Sequence, residues 1–389
     1  MHTLLDVHQA FEAHFSGSPL LVKACGRINI IGEHTDYNEG FVLPAAIDKN
    51  LFFALAENGT NECHFHALDV GEEAHFSLDD LKPGPQGWAN YLMGILEQLQ
   101  KEDVLLEGID LVFGGDIPIG AGVSSSAALE AGFALGICSL FNLQKPRQEL
   151  ARLAQRSSQE FIGIPGGIMD QFASLLGRRG HALKLDCRSL HYEYIPLALG
   201  EYELVLLNTG VSHELANSAY KDRVMECRQG VAAVQQAAPN VASLRDVSLA
   251  QLDAARAEMG EVAYRRCRFV LAENERLCKA VDCLKEGRME DLGQLLFQTH
   301  QGLSEEYAVS CRELDFLVDL ANEFEGVAGA RMMGGGFGGC TLNLVHGSAK
   351  AKFIKHAKRE YYRAFSLNAD HYEVEITDGT DIIRDIPAA

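Results

Sequence analysis

Four short segments of this 389-residue chain gather residue types that can do chemistry. The first runs from Pro118 to Glu130 as Pro-Ile-Gly-Ala-Gly-Val-Ser-Ser-Ser-Ala-Ala-Leu-Glu. Gly120 and Gly122 can take positive φ and let the backbone come close to an anion. Ser124, Ser125 and Ser126 then put hydroxyls and N–H groups at a helix start, which carries roughly +0.5 of an elementary charge and suits a polyphosphate. No Lys-Ser/Thr pair closes the loop, so it is not a Walker loop. The competing reading is a glycine turn with a serine capping a buried helix.

The second segment, Gly334-Gly-Gly-Phe-Gly-Gly339, satisfies G-x-G-x-x-G. A dinucleotide fingerprint must open a helix, whereas the CTLNLV that follows predicts a strand, so that reading is rejected. Five glycines in six positions still imply close backbone approach, to a ligand or to another chain segment. The third, Gly26 to Asn38, packs Arg27, Asn29, Glu33, His34 and Asp36 together. Such a set suits a sugar, whose hydroxyls each donate and accept; a solvated polar loop is the alternative. His34 and Asp36 lack a third ligand at metal spacing. His64, His66 and His75 form a looser group expected at solvated strand and loop positions. The fourth, Gly166-Gly-Ile-Met-Asp-Gln-Phe172, holds one acid, Asp170, among glycines and apolar residues. That setting fits a general base or a helix N-cap.

The elements that must position these segments are legible in outline. Leu4, Val7, Phe11 and Phe15 recur every three or four residues and predict an opening helix. Leu20–Cys25 and Phe41–Glu57 predict strands, and Trp88 to Leu99 a helix entered through KPGPQG. Gly108 to Gly114 predicts a strand that delivers the phosphate loop to the small-residue helix SAALEAGFALGICSLF. Gln148 to Phe161 reads as helical. Strands near Leu183–Asp186 and Tyr202–Asn208 precede helical runs from about Glu214 to Glu325. A strand CTLNLV, a helix through Arg363 and a last strand near Tyr372–Ile376 complete the chain.

The length allows two or three domains, and a domain boundary is expected near residues 178–192. With 47% hydrophobic and 23% charged residues the chain can bury a sizeable core. Its 34 basic and 54 acidic residues give a net charge of −20, which disfavours nucleic acid and anionic membranes as partners. Any phosphate site must then be made locally. The ten cysteines contain no CxxC pair and are expected as reduced thiols. The opening residues carry Asp6 and Glu12 without a basic-then-apolar pattern, so no signal peptide is expected. No run approaches the ~18 apolar residues of a membrane span, and a cytoplasmic location is the expectation.

In this order and spacing the four segments resemble the GHMP family of small-molecule kinases, and GRINIIGEHTDYNEGFVLPAAID is similar to the galactokinase signature within it. The likeness runs from about Leu20 to the final strand. It implies an α+β fold of two domains, mixed sheets with helices packed on them and an active site in the cleft between. Residues 1–180 would form the N-terminal domain with the sugar signature and the phosphate loop, and 181–389 the C-terminal domain with GGGFGG. The resemblance implies ATP-dependent phosphorylation of the C1 hydroxyl of galactose, with Mg²⁺. Glu33, His34, Asp36, Gly167 and Tyr220 would bind the sugar, and Asp170 would face the C1 hydroxyl as base beside Arg27. Gly120, Gly122, Ser124, Ser125 and Ser126 would hold the phosphates, and Trp88 and Tyr91 would flank adenine.

One position departs from the family. Relatives usually carry a Mg²⁺-binding Glu where this chain has Ser158, and Glu160 stands about 200° further round a helix. Mg²⁺ then falls to Ser126 and the phosphates, with waters completing its shell. The alternatives in function are a sugar-1-kinase for N-acetylgalactosamine, arabinose or a uronic acid, and a sensor that binds galactose and ATP without turnover. The intact Ser124–Ala128 run and Asp170 speak for the enzyme. A monomer whose partners are a sugar and ATP is the expectation.

Overall fold

A computed structural model of the chain describes residues 1–212 and 216–384. The helical run expected from about Glu214 therefore starts outside the described residues. The first part of the chain forms α1 (Leu4–His14), β1 (Leu20–Asn29), β2 (Phe41–Val42), β3 (Pro44–Glu57), β4 (Glu62–Ala67), β5 (Glu72–Ser77), α2 (Gly87–Lys101), β6 (Ile109–Gly115), α3 (Ser125–Leu140), α4 (Arg147–Arg156), α5 (Met169–Leu176), β7 (His181–Asp186) and β8 (Tyr192–Pro196). The remainder forms β9 (Tyr202–Ser212), α6 (Ala216–Gln235), α7 (Leu249–Ala254), α8 (Arg256–Glu286), α9 (Met289–Gln301), α10 (Arg312–Glu323), β10 (Val327–Met332), β11 (Gly338–His346), α11 (Gly347–Phe365), β12 (Asp370–Glu373) and β13 (Asp381–Ile383).

Three sheets result, in the orders β13-β1-β3-β6-β4-β5, β10-β11-β9-β12 and β2-β7-β8. Among the described residues only β4 and β6 pair in parallel; the other ladders are antiparallel. The alternation along β4, where Cys63, Phe65 and Ala67 are buried, is the period-2 pattern of a strand with one face on a core. His64 and His75 face each other across β4 and β5. His64 and His66 are not freely solvated as expected: both are half-buried and pack near Phe15 at the end of α1.

Helix α3 is the centre of the first unit. Its small residues let it lie close on the large sheet: a side chain at Gly132 would meet Phe53 and Ala24, and one at Gly136 would meet Leu55 and Val22. Eleven of its sixteen residues are buried, and that burial, rather than amphipathic patterning, holds the helix.

Two sheet pairings cross the boundary expected at residue 180. β7 pairs with β2 through Phe41↔Asp186 and Val42↔Leu185. The end of the chain also returns, with β13 beside β1 through Leu21↔Ile383. Composition along the chain could not reveal this, because the paired strands lie far apart in sequence.

Arg331, at the end of β10, is fully buried and ties the two units together. Its guanidinium donates to the Ile30 carbonyl at 2.8 Å, the Met332 carbonyl at 2.6 Å, the Asn29 carbonyl and Glu33 Oε1 at 2.9 Å. Glu33 is 2% exposed. Removing one partner of such a pair leaves an uncompensated buried charge, worth about 3–5 kcal/mol. Arg331→Met is therefore expected to lose about that much stability in urea unfolding, and Glu33→Gln/Arg331→Met to recover part of it. An unchanged unfolding midpoint for the single variant would show the tie to be dispensable.

Candidate active site

A cavity of ≈ 440 Å³ opens between the units. Its floor is set by an irregularity in β1. The register with β3 shifts between Cys25 and Arg27, and at Gly26 any Cβ would sit 2.9 Å from the Val123 carbonyl. This close approach lets the Arg27 N–H donate to Val123 O at 3.1 Å and its Nη1 to Gly122 O at 2.6 Å. The strand thereby grips the loop that precedes α3.

Asp170, the second residue of α5, completes the grip. Arg27 Nε donates to Asp170 Oδ1 at 2.7 Å and Nη2 to Oδ2 at 2.8 Å, the bidentate geometry that makes arginine–carboxylate pairs strong. Burial disfavours charge on Arg27, yet Asp170, helped by Glu33 and Asp36, raises its pKa above the ordinary value. The Ser124 hydroxyl also donates to Asp170 Oδ2. Asp170 thus accepts three hydrogen bonds, and it makes no N-cap.

The serine cap expected as the bland alternative is absent. Ser124 precedes α3 in the left-handed region (φ 61°, ψ 55°) and its side chain makes no capping bond. Such a conformation costs a non-glycine residue about 1–3 kcal/mol and needs surroundings that hold it. The first helical N–H with a partner is that of Ala128, bonded to Ser124 O at 3.1 Å. The N–H groups of the preceding turn have no intrahelical acceptor, and Gly120 (φ 76°) has no atom within 4 Å of where its Cβ would be. Open backbone beside an uncapped helix start fits the phosphates of a nucleotide.

The second glycine segment lies against the first. A Cβ at Gly122 would come 3.2 Å from the Met333 carbonyl, and the Gly334 N–H donates to Glu33 Oε1 at 2.9 Å. Gly334, Gly335 and Gly336 line the cavity, and β11 follows as the predicted strand.

Opposite α3, Glu33, His34, Asp36, Gly167 and Tyr220 line the same cavity. Burial pushes the His34 pKa down to about 4, so its imidazole is neutral at pH 7. Nδ1 pairs with the Tyr37 hydroxyl at 2.8 Å, while the buried Nε2 has no partner among the described residues. Burial first, then the charge of Asp170 and a smaller push from Glu33, raise Asp36 to about 7. Burial likewise holds the Tyr220 phenol well above its ordinary value.

Tyr91 borders the cavity on the α3 side, whereas Trp88 does not. Trp88 packs edge-on against Phe113 and donates its Nε1–H to Glu72 at 2.8 Å. Of the residues to which the family resemblance gives a site role, it is the one that does not line the cavity. Residues that sequence reasoning missed are Arg331, Tyr37, Tyr307 and Glu130. Tyr37 Oη meets Tyr307 Oη at 2.7 Å, and nothing in their sequence spacing announces that pair. Glu130 did leave a signal, as the lone charge in the small, apolar α3. It accepts from Ser158 Oγ at 2.5 Å and from Gln171 Nε2 at 3.1 Å, and burial raises its pKa to about 8. Glu160 bonds instead with Gln98 and Lys101 at the surface. Among the described residues no three His, Cys, Asp or Glu side chains converge as a metal cage. Hydroxyls and one carboxylate beside a phosphate cradle fit Mg²⁺, which is bound by one or two carboxylates together with substrate phosphates.

Comparison with known proteins agrees in all parts of the chain. Residues 9–57 match the galactokinase galactose-binding signature, 90–178 the GHMP kinases N-terminal domain, and 280–364 the GHMP kinases C-terminal domain. A galactokinase from Thermotoga maritima is 39% identical over 363 residues, covering 93% of this chain and 99% of the relative. One from Roseiflexus sp. is 38% identical, covering 98% and 97%. The crystal structure of Lactococcus lactis galactokinase complexed with galactose superposes with a TM-score of 0.94 at 32% identity, covering 98% of this chain and all of that one. Methanococcus jannaschii mevalonate kinase, at 18% identity and a TM-score of 0.66 over 93% and 99%, shares the fold.

The geometry at Gly167 gives a direct test of this packing. Any Cβ there would overlap the Asp36 carboxylate, whereas at Gly166 the nearest atom is 3.9 Å away. Gly167→Ala is expected to cost about 1–3 kcal/mol in urea unfolding, as overpacking does, while Gly166→Ala leaves the midpoint in place. Equal midpoints for the two variants would contradict the described contact.

Proposed function

The chain belongs to the galactokinase family of GHMP kinases and phosphorylates galactose with ATP; we propose that Asp170 and Arg27 direct that transfer to the C1 hydroxyl. The observation that carries this assignment is the bidentate Arg27–Asp170 pair, standing between the uncapped start of α3 and the His34–Asp36–Gly167–Tyr220 cluster. A phosphoryl group moving between those two regions would pass beside the pair.

The chemistry asks for positioning and charge neutralisation more than for covalent help. Gly120, Gly122 and the N–H groups of Ser125 and Ser126 hold the phosphates of ATP. Arg27 offsets charge on the transferring group and holds Asp170 in place. Ser124, bonded to Asp170, couples the phosphate loop to the acceptor side. With three hydrogen bonds already accepted, Asp170 has room for one more donor, the sugar hydroxyl. This supports a group that orients the hydroxyl and takes its proton late in the transfer. His34 through Nε2, Asp36, Gly167, Tyr220 and Glu33 bind the remaining hydroxyls. Ser126 would hold Mg²⁺ in part, and the metal would supply neutralisation of phosphate charge there. Tyr91 flanks adenine, and Trp88 supports the strand beneath.

No helix among the described residues is long and apolar enough to cross a membrane, and all ten cysteines are free. Free thiols support a reducing, cytoplasmic setting.

Incubation with ATP, Mg²⁺ and a panel of sugars, followed by ADP release, is expected to show turnover on galactose with product phosphorylated at C1. Asp170→Asn keeps a hydrogen-bond acceptor for Arg27 and should lower kcat by about 10²–10⁴-fold with galactose binding retained; near-normal kcat would remove Asp170 from the chemistry.

Asp36 predicts a pH dependence. Its free-state value near 7 lies above the ordinary 3.8. Sugar hydroxyls donate to the ionised carboxylate, so the complex binds fewer protons than the free protein below pH 7. Galactose affinity is therefore expected to fall roughly tenfold per unit as pH drops below about 7, and to level off above it. In Asp36→Asn the slope should vanish, and a flat wild-type profile from pH 5.5 to 8.5 would refute the role of Asp36.

A further inference from the structure

Helix α3 carries a carboxyl group that its packing does not need. Glu130 sits in the middle of the helix, 1% exposed, among Ala127, Ala131 and Ala134. Its two carboxylate oxygens meet only neutral donors, Ser158 Oγ and Gln171 Nε2. Among the described residues no Lys, Arg or His lies within ion-pair distance of it. A buried carboxylate without a cation is costly, and the usual resolution is a cation or a bound proton.

Its position points to the cation. Glu130 follows Ser126 by four residues, which puts the two side chains on one face of α3 a single turn apart. Ser126, Glu130, Ser158 and Gln171 all line the cavity between the units. Of the other carboxylates nearby, Asp170 is engaged by Arg27 and Ser124, Glu33 by Arg331 and Glu160 by Lys101 at the surface, while Asp36 lies against Gly167 in the His34–Tyr220 cluster.

We propose that Glu130 is the carboxylate ligand of the Mg²⁺ that accompanies ATP, one turn beyond Ser126, with Ser158 and Gln171 as its positioning residues. The inference rests on the reading that ATP phosphates lie over the start of α3. Ser158 then acquires a purpose, because its hydroxyl holds Oε1 while the metal is bound by the remaining lone pairs. The carboxylate and the serine hydroxyl then supply protein oxygens to a metal that takes its other ligands from phosphates and water.

The test uses Mn²⁺ as probe, titrated into the full chain with saturating ADP and followed by the electron paramagnetic resonance of free Mn²⁺. Glu130→Gln keeps the size and the Ser158 contact, removes the charge, and is expected to weaken Mn²⁺ binding by about tenfold or more. Its affinity for metal-free ADP should be unchanged or higher, and its melting temperature no lower, since no ion pair is lost. Wild-type Mn²⁺ affinity in Glu130→Gln would overturn the proposal and identify Glu130 as a protonated structural group. Ser158→Ala, which disturbs no charge, should weaken Mn²⁺ binding several-fold with an intact fold. It decides the matter if Glu130→Gln does not fold, since undiminished affinity there would also overturn the assignment. Wild-type protein that binds galactose but no Mn²⁺–ADP would defeat the phosphate-site reading itself, whereas normal wild-type binding matched by both variants defeats only the role of Glu130.

Discussion

A buried ion pair between Glu33 and Arg331 joins the two units of this protein beside the cavity. Arg331 arrives on β10 of the second unit and satisfies backbone carbonyls at the end of β1 in the first. Glu33 in turn accepts the Gly334 N–H, which draws the second glycine segment over the first. A guanidinium can serve several carbonyls and a carboxylate at once because its donors lie in a rigid plane. Lysine, with one compact charge, could not span the same partners. The pair adds little net stability over a well-packed apolar pair, so its significance lies in the register it sets between the units.

That register brings a second ion pair into use. Arg27 and Asp170 both belong to the first unit, but they become the middle of a site only when the second unit supplies Tyr220 and the Gly334–Gly336 backbone. The local chemistry is economical. A bulge at Gly26 aims Arg27, Arg27 aims Asp170, and Ser124 gives up its capping role to hold the same carboxylate. Leaving α3 uncapped exposes N–H groups that an anion can satisfy. The strained left-handed Ser124 is tolerated because both its neighbours and its side chain are held. In a chain of net charge −20, this local arrangement of dipoles and one arginine makes phosphate binding possible.

Acid chemistry on the two sides of the cavity differs for the same reason. Asp36, Glu33 and Asp170 crowd together, and burial with mutual repulsion raises Asp36. Arg27 and Arg331 each answer one carboxylate, while Glu130 on α3 has only neutral donors. The protein thus presents an acidic cavity in which Arg27 is held by Asp170, with Lys221 as a second basic residue on its lining.

Much of this was legible in the residues alone. The loop at Pro118–Glu130, the acid at Asp170, the polar run at Glu33–Asp36 and the strand after GGGFGG all follow from local rules: backbone freedom at glycine, helix-terminal charge, and strand periodicity. Local rules reach only a few residues, however. They could not show that residues 181–196 and 381–383 ladder onto the first unit, since those partners are set by long-range pairing. They could not separate Tyr91, which reaches the cavity, from Trp88, which turns to Phe113 and Glu72. Nor could they find Arg331, whose meaning depends on a carboxylate 298 positions away. The chain by itself determined which groups are present and what chemistry they permit. Tertiary structure decided which of them are dehydrated together, and with which partner, because burial and distance fix the charge a group carries.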